Sequence, residues 1–298
     1  MSTFDYPDLA APTMQVRSLA RIGGVLFVFV VSACASPVIL TGVPAYNWYH
    51  GCTPTSVASI FAYWDLHGYS NLFDAAGSDL LLTSHVQDQI SSPAHNATYD
   101  SNPDAAGPDP PDTSIADFLH TSEGDLGSGG TYVDSVAPGI AGYAAYRGYT
   151  FSVTEISAYD AAFQFVPAQY ESLWTSVVAE IGNGRPLLFS VDCCSGDTRN
   201  VGDGEPDHSV AVVGFDVRDD GSRWYGMYTT WSESETVVWE PYHELSRGSA
   251  WGVYDAFVVD PVPEPAAGAL AGGALLALLL FGRFIPAARS RTTSGRRG

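Results

Sequence analysis

Between residues 36 and 261 the spacing of apolar positions changes character about half-way along. In the first half, Val57, Ile60, Phe61 and Trp64 recur at helical spacing behind Thr53-Pro54, where proline suits a first helical turn. Gly68 supplies the stop. Short helices are predicted from Ser114 to Leu119 and from Glu171 to Ile181, the latter ended by Asn183-Gly184. In the second half, Pro186 to Val191, His208 to Asp216, Arg223 to Thr230 and Trp251 to Val259 are β-rich runs separated by glycine and aspartate. Helices do not alternate with these runs, so a parallel sheet is not expected. The expectation is an α+β fold with N-terminal helices packed on an antiparallel sheet. Ser91 to Asp112, rich in Pro, Asp, Ser and Asn, reads as an irregular insertion, and no solenoid-length repeat is present.

Two further apolar runs lie outside this region. Ile22 to Ala33 follows Arg17 and Arg21 and precedes small residues, the layout of a secretory signal peptide over residues 1–35. Asp5 and Asp8 do not suit a basic leader, which points to Met14 as the true start. Cleavage after Ala35 follows an Ala33-Cys34-Ala35 site, while Val31-Ser32-Ala33-Cys34 also fits a lipoprotein box with Cys34 lipidated. At the other end, residues 262–298 carry Val262-Pro263-Glu264-Pro265, an uncharged run over residues 266–282 and then a cluster of arginines. That run is at the short limit for a transmembrane helix, and its arginines would lie on the cytoplasmic side of a plain anchor. Pro-Glu-Pro, apolar helix and basic end in this order resemble the PEP-CTERM sorting signal. The resemblance implies an exosortase-type processing enzyme as partner. It also implies a mature protein at the cell envelope, surface or extracellular matrix of a Gram-negative bacterium, membrane-anchored by its C-terminal helix until processing.

Charge narrows the partners. The 298 residues hold 33 acidic and 13 basic side chains, every basic one an arginine, for a net charge of −20. Most arginines lie towards the two ends, so the central domain is more acidic still. Nucleic acid is thereby disfavoured as a partner. No metal-ligand spacing, phosphate-binding glycine loop or basic aromatic patch is present, and no cofactor is expected.

The chemistry centres on Cys52, in Tyr46-Asn-Trp-Tyr-His-Gly-Cys-Thr-Pro-Thr55. A thiol in a Gly-Cys turn that feeds a helix faces the helix N-terminal dipole, which favours the nucleophilic thiolate. The Cys52 N–H, with the Asn47 amide as a second donor, could hold an oxyanion. Of the seven histidines, His208 opens an apolar strand and is the best-placed general base, while His50, His67, His85, His95, His120 and His243 read as exposed or structurally satisfied. Among the cysteines, removal of Cys34 leaves Cys52, Cys193 and Cys194. A free Cys52 with a Cys193-Cys194 bridge fits catalysis, and Cys52 bonded to either of the others would abolish it.

The Tyr-x-Trp-x-x-Gly-Cys-x-Pro-Thr segment precedes Tyr63-Trp64-Asp65, Ala116-Asp117-Phe118, and His208-Ser-Val with Gly214-Phe215-Asp216. Together these resemble the papain-like cysteine peptidases related to the bacteriocin-leader (double-glycine) peptidases, over most of Val43 to Val259. The resemblance implies a papain-like fold, Cys52 as nucleophile, His208 as base and a peptide or protein substrate. Where relatives place an Asp or Asn to orient the histidine, this chain has Tyr228-Thr229-Thr230-Trp231, so that Thr229 offers only a hydroxyl. In the serine-peptidase template, loss of the orienting carboxylate costs on the order of 10⁴ in kcat. Two readings follow. One is a Cys-His hydrolase, and the other is a weak or inactive peptidase fold serving as a surface binding or matrix protein.

Overall fold

The computed structural model describes residues 36–99, 102, 108–193 and 204–263. The leader expected over residues 1–35 lies outside the described residues, as do residues 264–298 of the expected sorting tail, with the apolar run at 266–282, and Cys194. Among the described residues no helix is long and apolar enough to cross a membrane.

The chain begins with a two-residue strand, β1 (Val38–Ile39), and then enters α1 (Cys52–Leu66). A 3-10 turn (Gly77–Leu81) leads to α2 (Thr83–Ile90), α3 (Pro93–Tyr99), α4 (Ile115–Phe118) and α5 (Val133–Tyr146). After β2 (Phe151–Ser157) comes α6 (Pro167–Gly182), and then β3 (Leu187–Asp192), β4 (His208–Val217), β5 (Arg223–Tyr228), β6 (Val238–Pro241) and β7 (Gly252–Pro261). The strands form one antiparallel sheet in the order β2-β7-β3-β4-β5-β6, with β1 pairing beside β4. This is the expected α+β architecture of helices packed on an antiparallel sheet.

Alternating residues of the central strands serve two cores. Leu187, Phe189 and Val191 face the α6 side with Leu173, Val177 and Ile181. Leu188, Ala211 and Phe257 face the other side and pack against Val57, Ile60 and Phe61 of α1 and Ile140 and Tyr143 of α5. A period-2 strand buried on both faces needs apolar residues at successive positions, which is why β3 and β4 read as continuous hydrophobic runs.

Helix α1 differs from the one-sided amphipathic helix that its sequence predicts. It is buried almost all round, from Thr53 to Tyr63 and again at Asp65. Its polar side chains are therefore satisfied inside the protein: the Ser56 hydroxyl donates to the Ser209 carbonyl at 2.9 Å, and the Asp65 carboxylate accepts from the Phe73 N–H at 3.1 Å. The insertion expected to be irregular from Ser91 to Asp112 contains α3. Helix α5 lies outside the predicted helices, because Pro138, Gly139 and Gly142 break the usual pattern. Gly139 has a packing reason: a Cβ there would stand 2.5 Å from the Phe118 carbonyl oxygen, so glycine lets α5 close on α4.

Candidate active site

Cys52 is the first residue of α1, and its N–H belongs to the helix-end donors that have no intrahelical acceptor. The preceding Gly51 has φ 154° and ψ 140°, a conformation that favours glycine. A Cβ at Gly51 would also lie 2.8 Å from both Pro54 Cγ and Thr121 Cγ2. Pro54 sits in the first turn, where a missing N–H costs nothing. The Thr55 hydroxyl donates to the Gly51 carbonyl at 2.6 Å and tightens the turn.

His208, the first residue of β4, is buried and meets the half-buried Cys52 across the start of α1. The two elements are joined by Thr53, whose hydroxyl lies 2.9 Å from that of Ser209, and by the Ser56–Ser209 bond. Burial alone would push the Cys52 thiol up. The hydrogen bond and charge of His208, with support from the Ser209 N–H and the Thr53 hydroxyl, outweigh it and hold the thiol below its ordinary range. Burial likewise opposes charge on His208, but Cys52, the Thr229 carbonyl and Asp207 raise its pKa. Each partner stabilises the charged form of the other, so the arrangement favours a thiolate–imidazolium pair.

The orienting group is found on the main chain. His208 Nε2–H donates to the Thr229 carbonyl oxygen at 3.0 Å, which leaves Nδ1 for Cys52. The sequence suggested the Thr229 hydroxyl; the partner is its carbonyl instead, because the chain turns as it leaves β5, with Thr230 at φ 66°. That turn is pinned from the segment preceding Cys52: the Trp48 N–H donates to the Thr230 carbonyl, and Asn47 bridges to Trp231. Trp231 stacks on the His208 ring with centroids 5.2 Å apart and planes at 19°, and Trp251 meets the same ring edge-on at 6.2 Å.

A cavity of about 630 Å³ opens over Cys52 and His208. Its lining includes Gly129, Gly130 and Thr131 of one loop, Trp48 and Trp231, and Ser190 and Asp207. Trp48, Trp231 and Leu126 are each about half exposed, an apolar rim able to hold an extended chain. The glycine loop is held by Ser122, whose hydroxyl accepts from the Gly129 N–H at 2.8 Å. It is also held by a buried pair outside the predicted site: His95 Nδ1 lies 2.8 Å from Asp117 Oδ1, while His95 Nε2–H donates to the Thr121 carbonyl at 2.6 Å. Asp117 also closes the capping box of α4 with Ser114.

Asn47 is exposed and is not part of the cavity lining; its N–H donates to the Thr83 hydroxyl at 2.9 Å. Cys52 is free, whereas Cys193 is disulfide-bonded. No group of three or more His, Cys, Asp or Glu side chains among the described residues could hold a metal ion.

Residues 40–256 match the Peptidase_C39 like family. The chain belongs to that family. A cysteine peptidase-like protein of papain-like α+β fold is thereby established, in agreement with the resemblance carried by the Gly-Cys-x-Pro-Thr and His-Ser-Val segments. Comparison with curated protein sequences gave no match.

Proposed function

We propose that this member of the Peptidase_C39 like family is an exported cysteine hydrolase that cleaves a peptide or amide bond through Cys52 and His208. The observation that supports the reading is a free, half-buried cysteine at a helix N-terminus that shares an open cavity with a buried histidine whose ring is held by the Thr229 carbonyl. In this reading the Cys52 thiolate attacks the acyl carbon, and the carbonyl π electrons move onto oxygen. The Cys52 N–H at the positive end of α1 stabilises that oxyanion. His208 Nδ1–H passes its proton to the leaving amine as the C–N bond breaks, leaving a thioester. Water, deprotonated by the now neutral His208, then displaces the thiolate and releases the acid. The Thr229 carbonyl keeps the ring oriented, and stacked Trp231 supports the imidazolium face. A neutral carbonyl stabilises the imidazolium less than a carboxylate would, which predicts a modest turnover.

We further propose that the leader over residues 1–35 directs export and that an exosortase-type enzyme processes the tail after Pro263-Glu264-Pro265. The mass of the surface form, with the tail absent, checks this second reading.

The first test is alkylation of the full chain by iodoacetamide across pH, in wild type, Cys52→Ala and His208→Ala. The expected result is labelling of Cys52 at a pH well below that of a free thiol, shifted upward in His208→Ala. Labelling that is unchanged without His208 overturns the hydrolase reading and favours a surface binding protein on the same fold.

A further inference from the structure

Ser190, on β3, also lines the cavity. Directly opposite Ser190, across the β3–β7 ladder, stands Asp255. Cross-strand partners project to the same face of a sheet, so Asp255 shares the face of Ser190, the side of α1 and the cavity. Just beyond this pair the register slips between Ser190 and Val191, placing an extra residue, Tyr254, in β7. Bulges of this kind re-aim side chains beside functional sites.

Asp255 is unusual among the described carboxylates. It is fully buried, and neither of its oxygens has a hydrogen-bond partner in good geometry. The charged groups facing it are acidic: Glu155 on β2 raises its pKa, and Asp134 at the start of α5 in turn raises that of Glu155. The arginine ion pairs of the described residues are made elsewhere, with Asp74, Glu180, Asp260, Asp216 and Glu171. A buried carboxyl without a counter-charge is costly, and such groups cluster at functional sites.

Resting on the hydrolase reading, we infer that Asp255, acting through the Ser190 hydroxyl, makes the Ser190 end of the cavity a subsite for a cationic side chain, arginine or lysine, of the substrate. Ser190 is the member of the pair that lines the cavity. When its hydroxyl donates to Asp255, its lone pairs face outward and accept from a guanidinium or ammonium, with the carboxylate charge close behind. Burial lifts the Asp255 pKa to about 7, with Ser190 opposing and Glu155 adding to the shift. Selection for a cation therefore strengthens as pH rises through neutrality.

The test uses the full chain carrying Cys52→Ala, which binds without turnover. Blocked tetrapeptides with arginine moved through each position are titrated calorimetrically against matching citrulline peptides, which keep the shape and lose the charge. At one position arginine is expected to bind about tenfold or more tightly than citrulline at pH 8, and less selectively at pH 6. Adding Asp255→Asn should bring the two peptides within about twofold while citrulline binding stays the same. Equal binding of both peptides, a preference that survives Asp255→Asn, or no measurable arginine-peptide binding overturns the inference. A wild-type chain that fails to hydrolyse these peptides while the arginine preference holds overturns the hydrolase reading alone.

Discussion

His208 Nε2 and the Thr229 carbonyl oxygen are 3.0 Å apart, so the histidine is oriented by the main chain. The side chain at position 229 is therefore expected to be dispensable. Thr229→Val should keep the Cys52 alkylation rate and its pH midpoint within about threefold and 0.5 pH units of wild type, since the carbonyl remains. A loss comparable to that of His208→Ala would assign the role to the hydroxyl instead.

Thr53 is expected to tune the nucleophile. Its hydroxyl supports the Cys52 thiolate and lies 2.9 Å from the Ser209 hydroxyl; having one proton, it can donate to sulfur while accepting from Ser209. Thr53→Val should raise the pH midpoint of alkylation and lower stability by about 1–2 kcal/mol, because the buried Ser209 hydroxyl loses its partner. Thr53→Ser should restore the midpoint, an outcome that a purely packing role for position 53 would not give.

The His95–Asp117 pair should shape the pH dependence of stability. Burial opposes charge on both, but the 2.8 Å ion pair between them raises His95 above its ordinary 6.5 and, with the Ser114 and Thr113 donors, lowers Asp117 below 3.8. Asp117 contributes stability above its unfolded value that is lost as pH falls through its folded one. His95 contributes stability fully present below about pH 6.5, lost as pH rises through its raised value. Denaturation midpoints should therefore be highest between these limits. Asp117→Asn should cost about 3 kcal/mol there and flatten the profile, since it leaves a buried imidazole without its counter-charge.

Asp255 should act in the opposite sense. Its folded pKa of about 7 exceeds the ordinary 3.8, so folding favours the protonated form and stability falls between those two values as pH rises. Asp255→Asn, which keeps the shape and removes the charge, should stabilise the chain by about 2 kcal/mol at pH 8 and by little at pH 4. Urea titrations at the two pH values check it; equal effects would place the carboxyl in a compensated environment.

What the sequence determined by itself was the local part of this arrangement. Gly51-Cys52 before an apolar helical pattern sets a thiol at a helix start, and His208 before an apolar run sets an imidazole at a strand start. Strands β3, β4, β5 and β7 were legible as β-rich runs separated by glycine and aspartate, and α6 because Asn183-Gly184 stops it. Helix α5 was not, since Pro138 and Gly139 signal a break locally and are accommodated only by its close approach to Phe118. The tertiary structure alone decided the histidine's partner, because every residue carries a carbonyl and only the turn at Thr230 aims the one that is used. It also decided the pairing of Ser190 with Asp255, 65 positions apart, and of His95 with Asp117. A side chain's type states what it can bond, whereas long-range strand pairing and helix packing select which of those bonds form.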